Sequence, residues 1–408
     1  MNGIKNIINE ENIECDYSNQ SSYVYACSKD ELPDIKKEVK AVQSLGFPCE
    51  FVNAKNIPFS NLKCIGAIKF PNQGQFNPRK YGINLANIAS NKGINFFTNT
   101  VVTKIQKTEN NDYIIFTNNQ KVHSKKVILA THYPIINFPG FYFLKMYQSM
   151  SYVIAVDTKC ELPDGMYINN QPPIFSFRTT PYNGKNILII AGSDHKVGEN
   201  IDLKNAYDIL EKKAKELYPK SEVLYRWCTE DCITLDKVPY IGDFSNIMPN
   251  LYVATGFKKW GITFSYIASK IITDKILNNE NPYEDLFTAT RLQPLKNHEE
   301  LGNMIKESMY SLVINKLKDT PDILKDVKND EGKIIELNNE KIGVYKDING
   351  KCFFIKPFCA HLGCQLSFNN LEKTWDCPCH GSRYEYTGKV ICEPAINSLP
   401  IPRITKTP

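Results

Sequence analysis

Residues 359–384 read CAHLGCQLSFNNLEKTWDCPCHGSRY, and this stretch decides how the C-terminal part of the chain folds. Two short loops each offer a cysteine and a histidine, as Cys359-x-His361 and Cys377-x-x-His380. Each loop carries a second cysteine, Cys364 in the first and Cys379 in the second. Soft and borderline ligands brought together from two hairpin-like loops make a metal site, and at this point both a structural zinc and an iron-sulfur cluster satisfy the donor set.

The spacing is tighter than zinc requires. It resembles the Rieske 2Fe-2S signature, C-x-H-x-G-C followed by C-x-C-H-G-S-x-Y, and matches at every signature position. The resemblance implies that Cys359 and Cys377 hold one iron and His361 and His380 the other. It also implies a disulfide between Cys364 and Cys379; a bridge closing a loop of about 15 residues contributes about 3 kcal/mol. Replacing two thiolates by neutral imidazoles removes negative charge from the cluster, so reduction becomes easier. Histidine-ligated centres span roughly −150 to +300 mV, against roughly −400 mV for plant-type ferredoxins. Ser382 and Tyr384 stand where Rieske proteins place hydroxyl donors to the cluster, which pushes the expected potential into the upper half of that range.

A chain of 408 residues implies two or three domains. Its 42% hydrophobic, 11% aromatic and 23% charged residues are those of an ordinary globular protein. The net charge of +5 is spread over Lys-rich segments without a basic block, which argues against a nucleic-acid partner. The chain has thirteen cysteines, and those outside the cluster loops are scattered and read as reduced thiols. No run approaches 18 apolar residues, and MNGIKNIINEENIE has neither a basic nor an apolar leader region, so the expected location is cytoplasmic.

Upstream, Ile4, Ile7 and Ile8 share an apolar helical face, a strand is expected at Ser22–Cys27, and Ser28-x-x-Glu31 forms a capping box before a helix ending at Gly46. Residues 94–134 alternate as a β-meander leading into a buried strand at Val127–Ala130. Further strands are expected at Tyr152–Val156 and Ile187–Ala191, and a helix over Leu203–Leu217. LYVATGFKKWGITFSYIASKIITDKI (251–276) reads as a strand, a glycine-containing loop and an amphipathic helix. Glycines let a ligand approach the backbone, and a helix N-terminus offers unpaired N–H groups.

Residues from about 10 to 285 resemble the FAD-dependent D-amino acid oxidase-like superfamily, particularly bacterial proteins that fuse such an oxidoreductase to a C-terminal Rieske domain. The matching pieces are FPNQGQFNPRKYG (70–82), KKVILATHYP (125–134), SFRTTP (176–181), AGSDHKVG (191–198), TLDKVPYIG (234–242) and ATGFKKWGIT (254–263). The resemblance makes Gly256, Phe257, Trp260, Gly261, Ile262 and Thr263 candidates for FAD contact. The implied fold is an α/β flavin-oxidoreductase-like domain, with an incomplete Rossmann-type sheet and a mixed-sheet substrate domain, followed by a small all-β Rieske domain. The expected boundaries are 1–285 for the oxidoreductase domain, 286–322 for a connector helix through Leu301, Ile305, Met309, Leu312 and Val313, and 323–408 for the Rieske domain. Pro394 is the expected counterpart of the proline loop that shields a Rieske cluster.

The chain departs from that family in one respect. No G-x-G-x-x-G occurs in it, so the segment that receives the FAD pyrophosphate is absent. The expectation is either a shortened copy or a missing part supplied by another polypeptide, with an unpaired sheet edge and a marginally stable 1–285 region in both cases. Arg178 is a candidate for binding a substrate carboxylate, and His132 and His195 for moving protons, although each reads more readily as structural. The functional reading is an oxidoreductase that couples FAD-dependent substrate oxidation to a Rieske 2Fe-2S cluster and an unidentified redox partner. The alternatives are a non-enzymatic electron carrier with a remnant flavin domain, and a redox or zinc sensor.

Overall fold

In a computed structural model describing residues 2–198, 205–291, 302, 306 and 324–402, the capping box at Ser28 forms as its residue types require. The Glu31 carboxylate reaches back to the Ser28 and Cys27 backbone N–H groups at 3.0 and 3.1 Å. After one 3-10 turn the helix Leu32–Ser44 buries Ile35 and Val39 against Ala26 and Ile68. Gly46 follows it at φ +80°, where a side chain would be strained.

The described chain divides into two units. The first comprises Met1–Phe96, Ser151–Asp194 and Asn205–Thr229. It is built on an eight-stranded mixed sheet, in which Ser18–Ala26 pairs antiparallel with Gly66–Gln75 and parallel with Met166–Asn169. The first strand starts four residues before the expected Ser22, because Ser18–Gln20 find partners in Gln73–Gln75. The strands expected at Tyr152 and Ile187 are longer than their apolar stretches, running Met146–Asp157 and Lys185–Lys196. The expected helix at Leu203 is described as Ala206–Leu217; its first two residues lie outside the described ones.

The second unit comprises Phe97–Met150, His195–Lys204 and Glu230–Pro408. Its oxidoreductase-like part holds a three-stranded sheet in which Leu251–Thr255 pairs antiparallel with Tyr240–Asp243 and parallel with Val127–Leu129. Helix Gly261–Leu277 packs Ala268, Ile271 and Ile272 on Ile241, Tyr252 and Ala254 of this sheet. Val127–Leu129 stands at the edge of this sheet, with Ile128 48% exposed. The β-meander is Val102–Lys107, Tyr113–Thr117 and Lys121–Ser124. Residues 94–101 do not extend it. Their alternation reads as strand, but no described strand pairs with them, and Phe96 and Phe97 are exposed.

Residues 324–402 are all-β apart from one 3-10 turn. Glu331–Leu337, Glu340–Lys346 and Cys352–Ile355 form one antiparallel sheet, and Ser367–Asn369, Thr374–Asp376, Arg383–Glu385 and Val390–Cys392 a second. Asn338 and Asn339 adopt positive φ in the turn between the first two strands. Trp375 is fully buried between the sheets and the cluster loops. Leu301, Ile305, Met309, Leu312 and Val313 of the expected connector helix lie outside the described residues. No helix among the described residues is long and apolar enough to cross a membrane.

Candidate metal centre

Both signature loops close by the same pair of backbone hydrogen bonds. In the first, Cys359 N–H donates to Cys364 O and Gly363 N–H to Cys359 O, each at 2.8 Å. In the second, Cys377 N–H donates to Ser382 O and Gly381 N–H to Cys377 O, each at 2.9 Å. The glycine that closes each loop sits at φ +79° and +81°, which is why the signature places glycine four residues after the first cysteine in both. Cys364 and Cys379 are joined by the expected disulfide, which ties the loops together.

The four expected ligands fall into two pairs, Cys359 in hydrogen-bond contact with Cys377 and His361 beside His380. Cys359, Cys377 and His380 are buried and His361 is half-buried. The imidazoles lie 5.1 Å apart between ring centroids. The Nδ1 atoms of His361 and His380 are both buried and have no hydrogen-bond partner. An orphaned imidazole nitrogen in a protein interior is costly unless something ligates it. Burial pulls the His361 pKa down to about 4. His380 is pulled down to about 3, by burial first and then by His361 and the Lys196 ammonium, against a hydrogen bond to the Phe143 backbone. Both rings are therefore neutral at physiological pH, the state a ligating imidazole needs.

On the sulfur side, the Cys377 thiol hydrogen-bonds to Cys359 and, with lesser help from Tyr384 and Ser382, brings the Cys359 thiol down to about 6; its partner Cys377 is pushed up. The Tyr384 hydroxyl accepts from Ala360 N–H at 3.0 Å, and the Ser382 hydroxyl accepts from Ala395 N–H at 3.1 Å. Each hydroxyl hydrogen is thereby left for sulfur. Two thiols and two neutral imidazoles with orphaned Nδ1 atoms are the donor set of a histidine-ligated 2Fe-2S cluster, so these residues fit that group. Cys364, Cys377 and Cys379 also bring their sulfurs within 4.8 Å of one another, but two of them are spent in the disulfide and offer no thiolate.

Residues outside the motif complete the setting, and of these sequence reasoning missed Asn137, Phe143, Gln148 and Gly198. Asn137 Oδ1 lies 2.6 Å from His361 Nε2, and the Phe143 ring meets His380 edge-on at 5.8 Å. Gln148, 1% exposed, donates to Glu393 O at 3.2 Å and packs under Gly381. A Cβ at Gly198 would sit 2.4 Å from Pro378 N. Pro394, the expected shielding proline, follows Glu393, whose carboxylate pairs with His132 Nδ1 at 3.0 Å. Burial opposes that carboxylate's ionisation, but the His132 contact prevails and holds its pKa down.

A cavity of about 560 Å³ opens beside the parallel strand pair and helix Gly261–Leu277, lined in part by Ile128, His132, Glu230, Gly256, Phe257 and Gly261. Of the six expected flavin contacts, Gly256, Phe257 and Gly261 line it. Trp260 and Ile262 are 64% and 40% exposed, and Thr263 is half-buried outside the lining. Gly256 at φ +74° has no room for a side chain, since a Cβ would meet Thr234 Cγ2 at 2.3 Å. The cavity thus brings together three of the six expected flavin contacts, and the sequence contains no G-x-G-x-x-G turn. Arg178 belongs to the first unit, half-buried on Phe175–Tyr182, and burial lowers its pKa. His195 is half-buried and its carbonyl accepts from Ser149 Oγ.

The sequence matches the FAD dependent oxidoreductase family over residues 2–275 and the Rieske 2Fe-2S domain over residues 323–403. It is 33% identical over 397 residues to the Bacillus subtilis (strain 168) protein YhfW, whose name assigns it as a Rieske 2Fe-2S iron-sulfur protein; the match covers 97% of this chain and 77% of that protein. It is 34% identical over 109 residues to the cytochrome b6-f complex iron-sulfur subunit of Synechococcus elongatus, over 27% of this chain and 55% of that subunit. The fold is similar to that of glycine oxidase from Geobacillus kaustophilus, with a TM-score of 0.60 at 18% identity over 71% of this chain and 80% of that one.

Proposed function

The chain belongs to the FAD dependent oxidoreductase family and carries a C-terminal Rieske 2Fe-2S domain, and from that premise we propose an iron-sulfur flavoprotein in which Cys359 and Cys377 hold one iron and His361 and His380 the other. The orphaned Nδ1 atoms of the two histidines, together with the two buried thiols, carry this reading. Bound there, the cluster would supply one-electron transfer, and FAD a two-electron oxidation of a small substrate.

The chain's own residues divide the work of holding these groups. The disulfide and the paired loop hydrogen bonds keep the ligand atoms together. Ser382 and Tyr384 donate toward Cys359 sulfur and stabilise added negative charge there. Gly256, Phe257 and Gly261 line the seat for the flavin's ring end. The pyrophosphate end has no cradle in this sequence, so no residue is assigned to it. The proposed domain limits are 1–285, 286–322 and 323–408, with electrons passed to a redox partner. Family membership and the cavity support a flavoenzyme over a bare electron carrier.

The visible spectrum and the paramagnetic resonance of the purified protein test the proposal. The expected result is a rhombic signal of average g roughly 1.9 after dithionite reduction, with a flavin band at about 450 nm. A colourless zinc protein would overturn the cluster assignment. Iron-sulfur absorption without flavin would remove the flavoenzyme reading and leave the electron carrier.

A further inference from the structure

The outer nitrogen of His361 has a hydrogen-bond partner within the chain. It is engaged by Asn137, a residue 224 positions earlier in the sequence, in the oxidoreductase part of the chain. An amide oxygen only accepts, so the 2.6 Å contact requires the proton on Nε2. That tautomer places the lone pair on Nδ1, the atom left buried without a partner. The loop bearing Asn137 is pinned. Asn137 O accepts from Phe141 N–H at 2.9 Å, and the rings of Phe138, Phe141 and Phe143 lie 5.2 to 6.0 Å apart. The same segment reaches the second ring, through the Phe143 side chain and its backbone hydrogen bond to His380. One loop therefore covers the outer edges of both imidazoles.

Resting on the cluster assignment above, we propose that Asn137 is a positioning residue for the 2Fe-2S centre: its amide oxygen holds His361 in the Nδ1-ligating tautomer and lowers the cluster's reduction potential. An acceptor on the far N–H of a ligating imidazole raises the basicity of the ligating nitrogen. More electron density then reaches the iron, and the oxidised form gains relative to the reduced one. Asn137 opposes Tyr384 and Ser382, which donate on the sulfur side and favour the reduced form. Because the Nε2 proton is already committed, an outside acceptor cannot hydrogen-bond His361 without displacing Asn137.

The test uses the full chain with its cluster. Asn137→Asp keeps the shape and strengthens the acceptor; Asn137→Leu keeps the bulk and removes it. Midpoints from titrations followed by paramagnetic resonance are expected in the order Leu above wild type above Asp. A role in packing alone would move both variants in one direction or neither, and either result overturns the proposal. The near-isosteric Asp variant tests the sign even if the Leu variant fails to fold. A wild-type protein without the rhombic signal would overturn the cluster assignment before any variant is made, and this inference with it. A normal wild-type signal with three equal midpoints would overturn this inference alone.

Discussion

The Tyr384 hydroxyl lies 3.2 Å from Cys359 Sγ, and because it already accepts from Ala360 N–H its own hydrogen points to the sulfur. A hydrogen bond to a thiolate stabilises the more negative, reduced state. Tyr384→Phe is therefore expected to lower the cluster midpoint. A difference of about 1 kcal/mol between redox states corresponds to roughly 45 mV for a one-electron couple. Redox titration of the variant checks this, and an unchanged or higher midpoint would remove Tyr384 from the sulfur's surroundings.

Gly198 and Gly184 separate two costs of adding one methyl group. Both have positive φ, +76° and +78°, so alanine at either meets the left-handed strain of roughly 1–3 kcal/mol. Around Gly184 nothing lies within 4 Å, whereas at Gly198 the new Cβ would sit 2.4 Å from the backbone of Pro378 in the second signature loop. Gly198→Ala is expected to cost on the order of 2 kcal/mol more than Gly184→Ala and to reduce iron per chain. Melting curves and iron assays on the two variants check the difference.

Arg383 sits between Glu230 and Asp376, its Nε 3.1 Å from a carboxylate oxygen of each, with all three side chains at least 90% buried. Glu230 Oε1 is close enough for an ion pair but not aligned for a hydrogen bond, and burial pushes the Glu230 carboxyl pKa well up. The arginine is thus the harder member to lose. Arg383→Met is expected to cost about 3–5 kcal/mol by stranding buried charge, and Glu230→Gln about 1 kcal/mol or less. Chemical denaturation of both variants checks the asymmetry.

What the sequence disclosed tracks how local each signal is. The cluster loops were legible because ligand types, glycines and hydroxyls all fall within 26 residues and each position has a local reason for its residue type. The loop-closing glycines at 363 and 381 are as diagnostic as the ligands, since their φ values admit little else. Asn137, Phe143, Gln148 and Gly198 were not legible. Each is an ordinary residue in its own segment and acquires meaning only from a partner some 180 or more residues away. Residues 94–101 mislead in the opposite way: their alternation satisfies the local pattern of a strand, but a strand also needs a neighbour. The cavity was half legible, because the loop's glycines announced a close approach while the outward turn of Trp260 and Ile262 depends on how the helix seats on the sheet.

Lys145 gives the protein a pH-dependent term away from the cluster ligands. It is 6% exposed, its ammonium lies over the rings of Tyr142 and Tyr240 at 5.1 and 5.5 Å, and the hydrogen bond from that ammonium to Ala289 O is long at 3.4 Å. Burial, aided by the Arg291 guanidinium, brings its pKa down to about 8, below the unfolded value of about 10.4. Below pH 8 both states carry the proton and the folded state bears the full penalty of a buried cation. Between about 8 and 10.4 the unfolded chain binds more protons than the folded one, so this residue makes stability rise with pH. Lys145→Met removes that contribution, at the loss of its ring contacts, so the slope rather than the absolute stability is the readout. The expected result is that, relative to Lys145→Met, wild type gains on the order of 1 kcal/mol from pH 8 to 10, with allowance for residual solvent. Parallel pH profiles of the two proteins would show that Lys145 titrates normally and that its site is wetter than its burial implies.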